Sequence, residues 1–144
     1  MTKFSTRAPM TALAAPALML ALAAFVGALT ASGASLAQPA SLEGSWSGGG
    51  VVSFASGARE KARCRAQYSR RSSTTYALTA TCATPSGRAT QSASVRQVGG
   101  NSYQGSFYNS EYNVSGTIHV VVRGNSQSVH LSSVGGSASL RLSR

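Results

Sequence analysis

Four bases alternate along one short stretch of this sequence: Arg59, Lys61, Arg63 and Arg65, separated by Glu60, Ala62 and Cys64. In an extended strand, residues two apart share a face and lie about 6.8 Å from each other. If Cys64 points inward, all four bases point outward, and Arg70 and Arg71 carry the charge into the following loop. With only Glu60 to oppose it, this cluster attracts polyanions: nucleic acid, acidic envelope polymers or anionic headgroups. The same charge also makes an ordinary solvated face. Aromatic side chains, on which the bases of a single strand would stack, are missing from the stripe.

A second pair of residues is brought together by a turn. Gly124-Asn125 reads as a two-residue hairpin turn, which pairs Arg123 with Ser126. Counting back along both strands sets His119 directly opposite His130, both outward. Two facing imidazoles can chelate zinc, copper or nickel. A complete site needs further ligands, and beyond Glu111 the sequence suggests none. Glu111 itself sits in a loop, Tyr108 to Asn113, whose two Tyr either contact a partner or cover one end of the fold.

The rest of the inventory excludes more than it offers. There are 144 residues, a formal net charge of +10, two Cys, two His and three acids, all Glu: Glu43, Glu60 and Glu111. Without Asp, a Ser-His-Asp triad cannot be built. A carboxylate dyad would have to come from scattered Glu, and two Cys with two His do not make a Cys-rich zinc site. Gly48-Gly49-Gly50 precedes strand residues, not a helix, so it is no phosphate cradle. These absences argue against an enzyme and against a cofactor.

Residues 1–37 read as a secretory signal peptide. Lys3 and Arg7 supply the positive start and Ala17 to Leu29 the apolar run, too short for a membrane span. Ser35-Leu36-Ala37 supplies a small-x-small cleavage site. Position 38 is Gln, not the Cys of a lipoprotein anchor. The expected product is a single domain, 38–144, located in the periplasm or secreted, with ten Arg and the lone Lys61 against the three Glu.

Helix signals are nearly absent from that domain. Short alternating stretches separated by turn residues predict eight strands: about 45–54, 59–69, 75–83, 89–98, 102–108, 114–123, 127–133, and a last strand lined by Ala138, Leu140 and Leu142. Short turns imply a meander, and closure removes exposed edges. The expected fold is all-β, a small eight-stranded antiparallel up-and-down barrel. Its apolar face is rich in Ala and Gly, which suits a tight interior and not a lipid-facing surface. Trp46 is expected to plug the barrel, and Gln38 to Leu42 to form a mobile lead.

In an exported chain, Cys64 and Cys82 should form a disulfide, contributing roughly 3 kcal/mol by closing their loop. Both belong to the inward sets of neighbouring strands. If they face each other, Ala66 meets Ala80, Tyr68 meets Leu78 and Arg70 meets Tyr76, and every inward residue finds an inward partner.

Gly44-Ser45-Trp46 at the first strand resembles the Gly-x-Trp opening of the calycin barrels, which include lipocalins, avidins and periplasmic metalloprotease inhibitors. The inhibitors share the size, export, barrel and single disulfide expected here. They act through an N-terminal segment, which would be Gln38 to Glu43. The stretch Ala62 to Thr90, with Cys64-Arg65-Ala66, Arg70-Arg71-Ser72-Ser73-Thr74-Thr75-Tyr76 and Thr81-Cys82-Ala83-Thr84-Pro85-Ser86-Gly87-Arg88, resembles a family of uncharacterised small exported alphaproteobacterial proteins. That resemblance implies no activity. The sequence therefore points to a non-enzymatic exported binding protein that engages an anionic partner, a polyanion or an envelope protein, through its Arg-rich strand. The alternatives are a protease-inhibitor-like protein and a carrier of a small apolar ligand.

Overall fold

The structure is a computed structural model that describes Gly33 and residues 41–144; the expected signal peptide otherwise lies outside the described residues. Eight antiparallel strands follow one another: β1 (Gly44–Phe54), β2 (Arg59–Arg70), β3 (Thr75–Thr84), β4 (Gly87–Gln97), β5 (Ser102–Asn109), β6 (Val114–Arg123), β7 (Ser126–Ser133) and β8 (Gly136–Ser143). They pair in chain order, and β1 also pairs with β8, so the sheet closes into a barrel. The expected class and strand number hold. The boundaries shift by one or two residues, most at β4, which begins at Gly87.

Alternation decides which side chains fill the barrel. On β2, Ala62, Cys64, Ala66 and Tyr68 are buried while Arg63, Arg65 and Gln67 are exposed. Around the wall the outward positions are largely Ser, Thr, Gln, Arg and His, the reverse of a lipid-facing barrel, whose apolar set points out. Among the described residues no helix is long and apolar enough to cross a membrane.

Curvature comes from glycines in strand interiors. A Cβ at Gly48 would run into the Arg141 carbonyl, one at Gly50 into that of Ser139, and one at Gly105 into that of Ser94. These residues let the strands bend and approach closely where a small barrel must turn. At the β6–β7 hairpin, Gly124 takes φ +60°, open to it because it lacks a Cβ.

The two ends of the barrel differ. The end holding the β2–β3, β4–β5 and β6–β7 turns is filled. Trp46, Tyr68, Tyr76, Tyr103, Val95, Val122 and Leu142 are all buried there. Leu42 closes it with no exposed surface, and its carbonyl accepts the Trp46 Nε1–H at 2.9 Å. The Arg144 guanidinium lies 4.4 Å from the Trp46 ring and donates to the Glu43 carbonyl at 2.9 Å. Trp46 is thus the expected plug. The expectation of a mobile lead through Leu42 is wrong at its last residue: an apolar side chain that completes the core is held there, while residues 38–40 lie outside the described residues.

Beneath the plug sits one buried polar pair. The Tyr68 hydroxyl donates to Gln127 Oε1 at 3.0 Å. Burial pushes the Tyr68 phenol well above its ordinary range, and the Gln127 hydrogen bond offsets this only partly.

Candidate functional site

At the opposite end the interior is not filled. The inward residues there are small or medium in size: Val52, Cys82, Ala89, Gln91, Val114 and Ala138, with Phe107 and Leu131 deeper. They leave a cavity of about 590 Å³ that opens between the four hairpin turns of this end. The tight interior expected from the Ala and Gly content is therefore corrected: small side chains pack the barrel only where Trp and Tyr from other strands reach across. Phe54 and Tyr112 stand at the rim, the latter well exposed.

The rim is tied together. Ala55 N–H donates to the Gly135 carbonyl at 3.0 Å, joining the first and last hairpins of this end. The Glu60 carboxylate accepts from both the amide and the hydroxyl of Ser86. Those bonds, the Ser86 hydroxyl first and Thr84 next, hold its carboxyl below the usual carboxylate range. Glu111 Oε2 accepts from the Thr90 amide at 2.7 Å. Asn109 Oδ1 accepts from the amides of Glu111 and Tyr112, shaping the β5–β6 loop. The opening is therefore held by bonds between turns and from turns to neighbouring strands. Glu60 is the one charged side chain that lines it.

Cys64 and Cys82 are bonded and directly opposite, as the register argument required; Cys82 lines the open cavity. Arg59, Lys61, Arg63 and Arg65 all point outward from β2. Glu60 faces the other way, into the mouth, so it does not oppose them. Arg71 is exposed in the β2–β3 loop. Arg70 does not extend the stripe. It shares the inward parity of Cys64 and Tyr68 and turns to the closed end, 3.5 Å from Glu43 and 4.9 Å from the centre of the Tyr76 ring. That parity was readable in the sequence. His119 and His130 are partners across β6 and β7. His130 Nδ1 lies 3.1 Å from Ser139 Oγ, and no third ligand joins the pair among the described residues. The cavity was left open by the sequence, which offered a small-ligand carrier only as an alternative, because alternation says which residues face inward but not how far across they reach.

No family model and no curated protein matches the chain. Solved structures do. The chain is similar to a redesigned β-barrel, mFAP1, bound to DFHBI, with TM-score 0.61, 14% identity, 72% of this chain and 94% of that one covered. It is similar to another redesigned barrel, mFAP0, also bound to DFHBI, with TM-score 0.60, 15% identity and coverage of 72% and 98%. A de novo designed fluorescence-activating β-barrel gives TM-score 0.56 at 17% identity, with coverage of 71% and 92%. At such identities the likeness is one of fold.

Proposed function

We propose that this protein is an exported, non-enzymatic binding protein that takes a small, largely apolar molecule into the open half of its barrel. One observation carries the reading: a cavity of about 590 Å³ whose wall surface is mostly apolar deep inside and whose mouth is ringed by Ser, Thr and Asn side chains and Glu60. Sites for small molecules typically measure about 300–1,000 Å³ and have this composition. Two redesigned barrels of similar fold are bound to DFHBI, which supports a small-molecule reading of this fold. Glu60 being the only charge in the lining favours a neutral or cationic ligand over a carboxylate.

Export is supported by the disulfide and by the expected signal peptide, and the resemblance to exported alphaproteobacterial proteins belongs to the same proposal. A non-enzymatic role is supported by the engagement of all three Glu: Glu43 with Arg70, Glu60 with Ser86 and Glu111 with the Thr90 amide. A protease-inhibitor role through Gln38 to Glu43 has less behind it, because Leu42 and Glu43 are fastened to the closed end. The anionic partner expected from the Arg-rich strand belongs to the outer wall, away from this cavity.

The test is titration with a neutral solvatochromic dye such as Nile red. Wild type should bind it saturably at one site, and Ala138→Phe, which fills the mouth, should abolish the signal while keeping the β-sheet circular dichroism. Absence of saturable binding, or equal binding by the filled variant, would overturn the proposal.

A further inference from the structure

Barrel closure builds a basic surface that β2 alone does not define. Arg141 of β8 is the cross-strand partner of Gly49 on β1, Gly49 of Arg63 on β2, Arg63 of Ala83 on β3, and Ala83 of Arg88 on β4. Three exposed Arg thus stand in one row around the wall. Neighbouring strands are about 4.8 Å apart, so successive Arg in this row are about 10 Å apart. Lys61 and Arg65 flank Arg63 along β2, each about 6.8 Å away. The positions between the Arg are Gly49 and Ala83, which raise almost nothing above the sheet. The result is a shallow furrow on each side of the β2 bases, bounded by Arg141 beyond Gly49 and by Arg88 beyond Ala83.

No carboxylate answers these charges. The one ion pair among the described residues is Arg70 with Glu43, at the closed end. Glu60 is turned into the mouth onto Ser86, and Glu111 is engaged by the Thr90 amide. Lys61, Arg63, Arg65, Arg88 and Arg141, with Arg59 farther along β2, therefore share the outer wall with no carboxylate partner, and the planar fork of Arg pairs with acidic groups in two parallel hydrogen bonds.

We infer that the outer wall centred on Gly49, with Arg63, Arg65, Arg88, Arg141 and Lys61, is a binding surface for a linear acidic polysaccharide. The furrow carries no aromatic side chain, so it has nothing on which nucleic-acid bases could stack. It is a sheet wall with no projecting helix or ribbon to enter a duplex groove. It presents no large apolar side chains to sink into a bilayer. An extended polymer with regularly spaced acidic groups needs none of these. It needs a low track with cations beside it, and Gly49 and Ala83, with the short side chains of Ser47, Val51 and Thr81, keep this wall low.

The experiment compares Arg63→Gln/Arg141→Gln with Arg96→Gln/Arg123→Gln, a charge-matched pair that removes two exposed Arg outside the row. Retention on immobilised heparin and affinity for polygalacturonate are measured against salt, with circular dichroism confirming the fold. The first pair should lose about tenfold or more in affinity, and its salt slope should fall by about two. The second should stay close to wild type. Equal losses in both pairs would reduce the effect to net charge and overturn the inference. Equal or tighter binding of single-stranded DNA, duplex DNA or anionic lipid vesicles would overturn it as well. Nile red binding is read separately and involves none of these residues, so the two proposals fail independently.

Discussion

Cys64 and Cys82 face each other across β2 and β3 with their Cα atoms 4.1 Å apart. The bond spans 18 residues of sequence and joins the buried core to the wall of the open cavity. Loop closure of this length restrains the unfolded chain, so Cys64→Ala/Cys82→Ala should lose about 2–4 kcal/mol in urea denaturation. A loss well below that range would mean that the β2–β3 hairpin is held by its pairing alone.

Gly105→Ala tests how the barrel turns. The added methyl group meets the Ser94 carbonyl, a backbone atom that cannot swing aside. The expected cost is about 1–3 kcal/mol or more. Gly100→Ala, in the β4–β5 turn with nothing near its Cβ, should stay within about 0.5 kcal/mol of wild type. Thermal unfolding of the two variants gives the contrast directly.

Tyr68→Phe removes the hydrogen-bonded partner that the buried Gln127 side chain has among the described residues. An orphaned buried polar group costs about 1–3 kcal/mol. Tyr68→Phe/Gln127→Leu removes both ends and should lose less than the two single variants together. Strict additivity in the double-mutant cycle would show that the two side chains are not coupled.

The same phenol sets an alkaline limit. Its folded-state pKa is raised by burial, so its contribution is complete below the ordinary phenol value near 10 and is lost as pH rises beyond it. The urea midpoint should fall above about pH 10, and the fall should be shallower in Tyr68→Phe. Ultraviolet titration should likewise lose its last phenolate step in that variant.

Much of the fold was legible because local turns set local registers. Gly124-Asn125 fixed the count that pairs His119 with His130, and two inward Cys fixed the β2–β3 pairing. Side-chain parity alone gave the outward stripe from Arg59 to Arg65. It also held the answer for Arg70, whose inward parity competes with the habit of reading any base near a loop as solvated. Other features were not legible. The row Arg141–Gly49–Arg63 depends on β1 meeting β8, a pairing that no local turn encodes. The cavity depends on side-chain reach across the barrel: Trp46 and Tyr68 span the closed end, whereas Ala89 and Ala138 at the other end do not. Leu42 lies before the first strand, where periodicity has no purchase, and is fixed by the core it completes.

The seam between β1 and β8 has a kinetic consequence. Every other strand pair joins neighbours along the chain, but Ser47 to Phe54 must wait for Gly136 to Ser143. As the chain folds, β1 can pair with β2 through a short turn, yet its other edge stays open until the final strand docks. Such long-range closure is slow compared with hairpin formation. Until it happens, the chain is an open, curling sheet with two unsatisfied edges, the form most exposed to pairing with another copy. Shortening the chain by its last strand should therefore yield aggregates, because the remaining seven strands have no means of burying the free edge of β1.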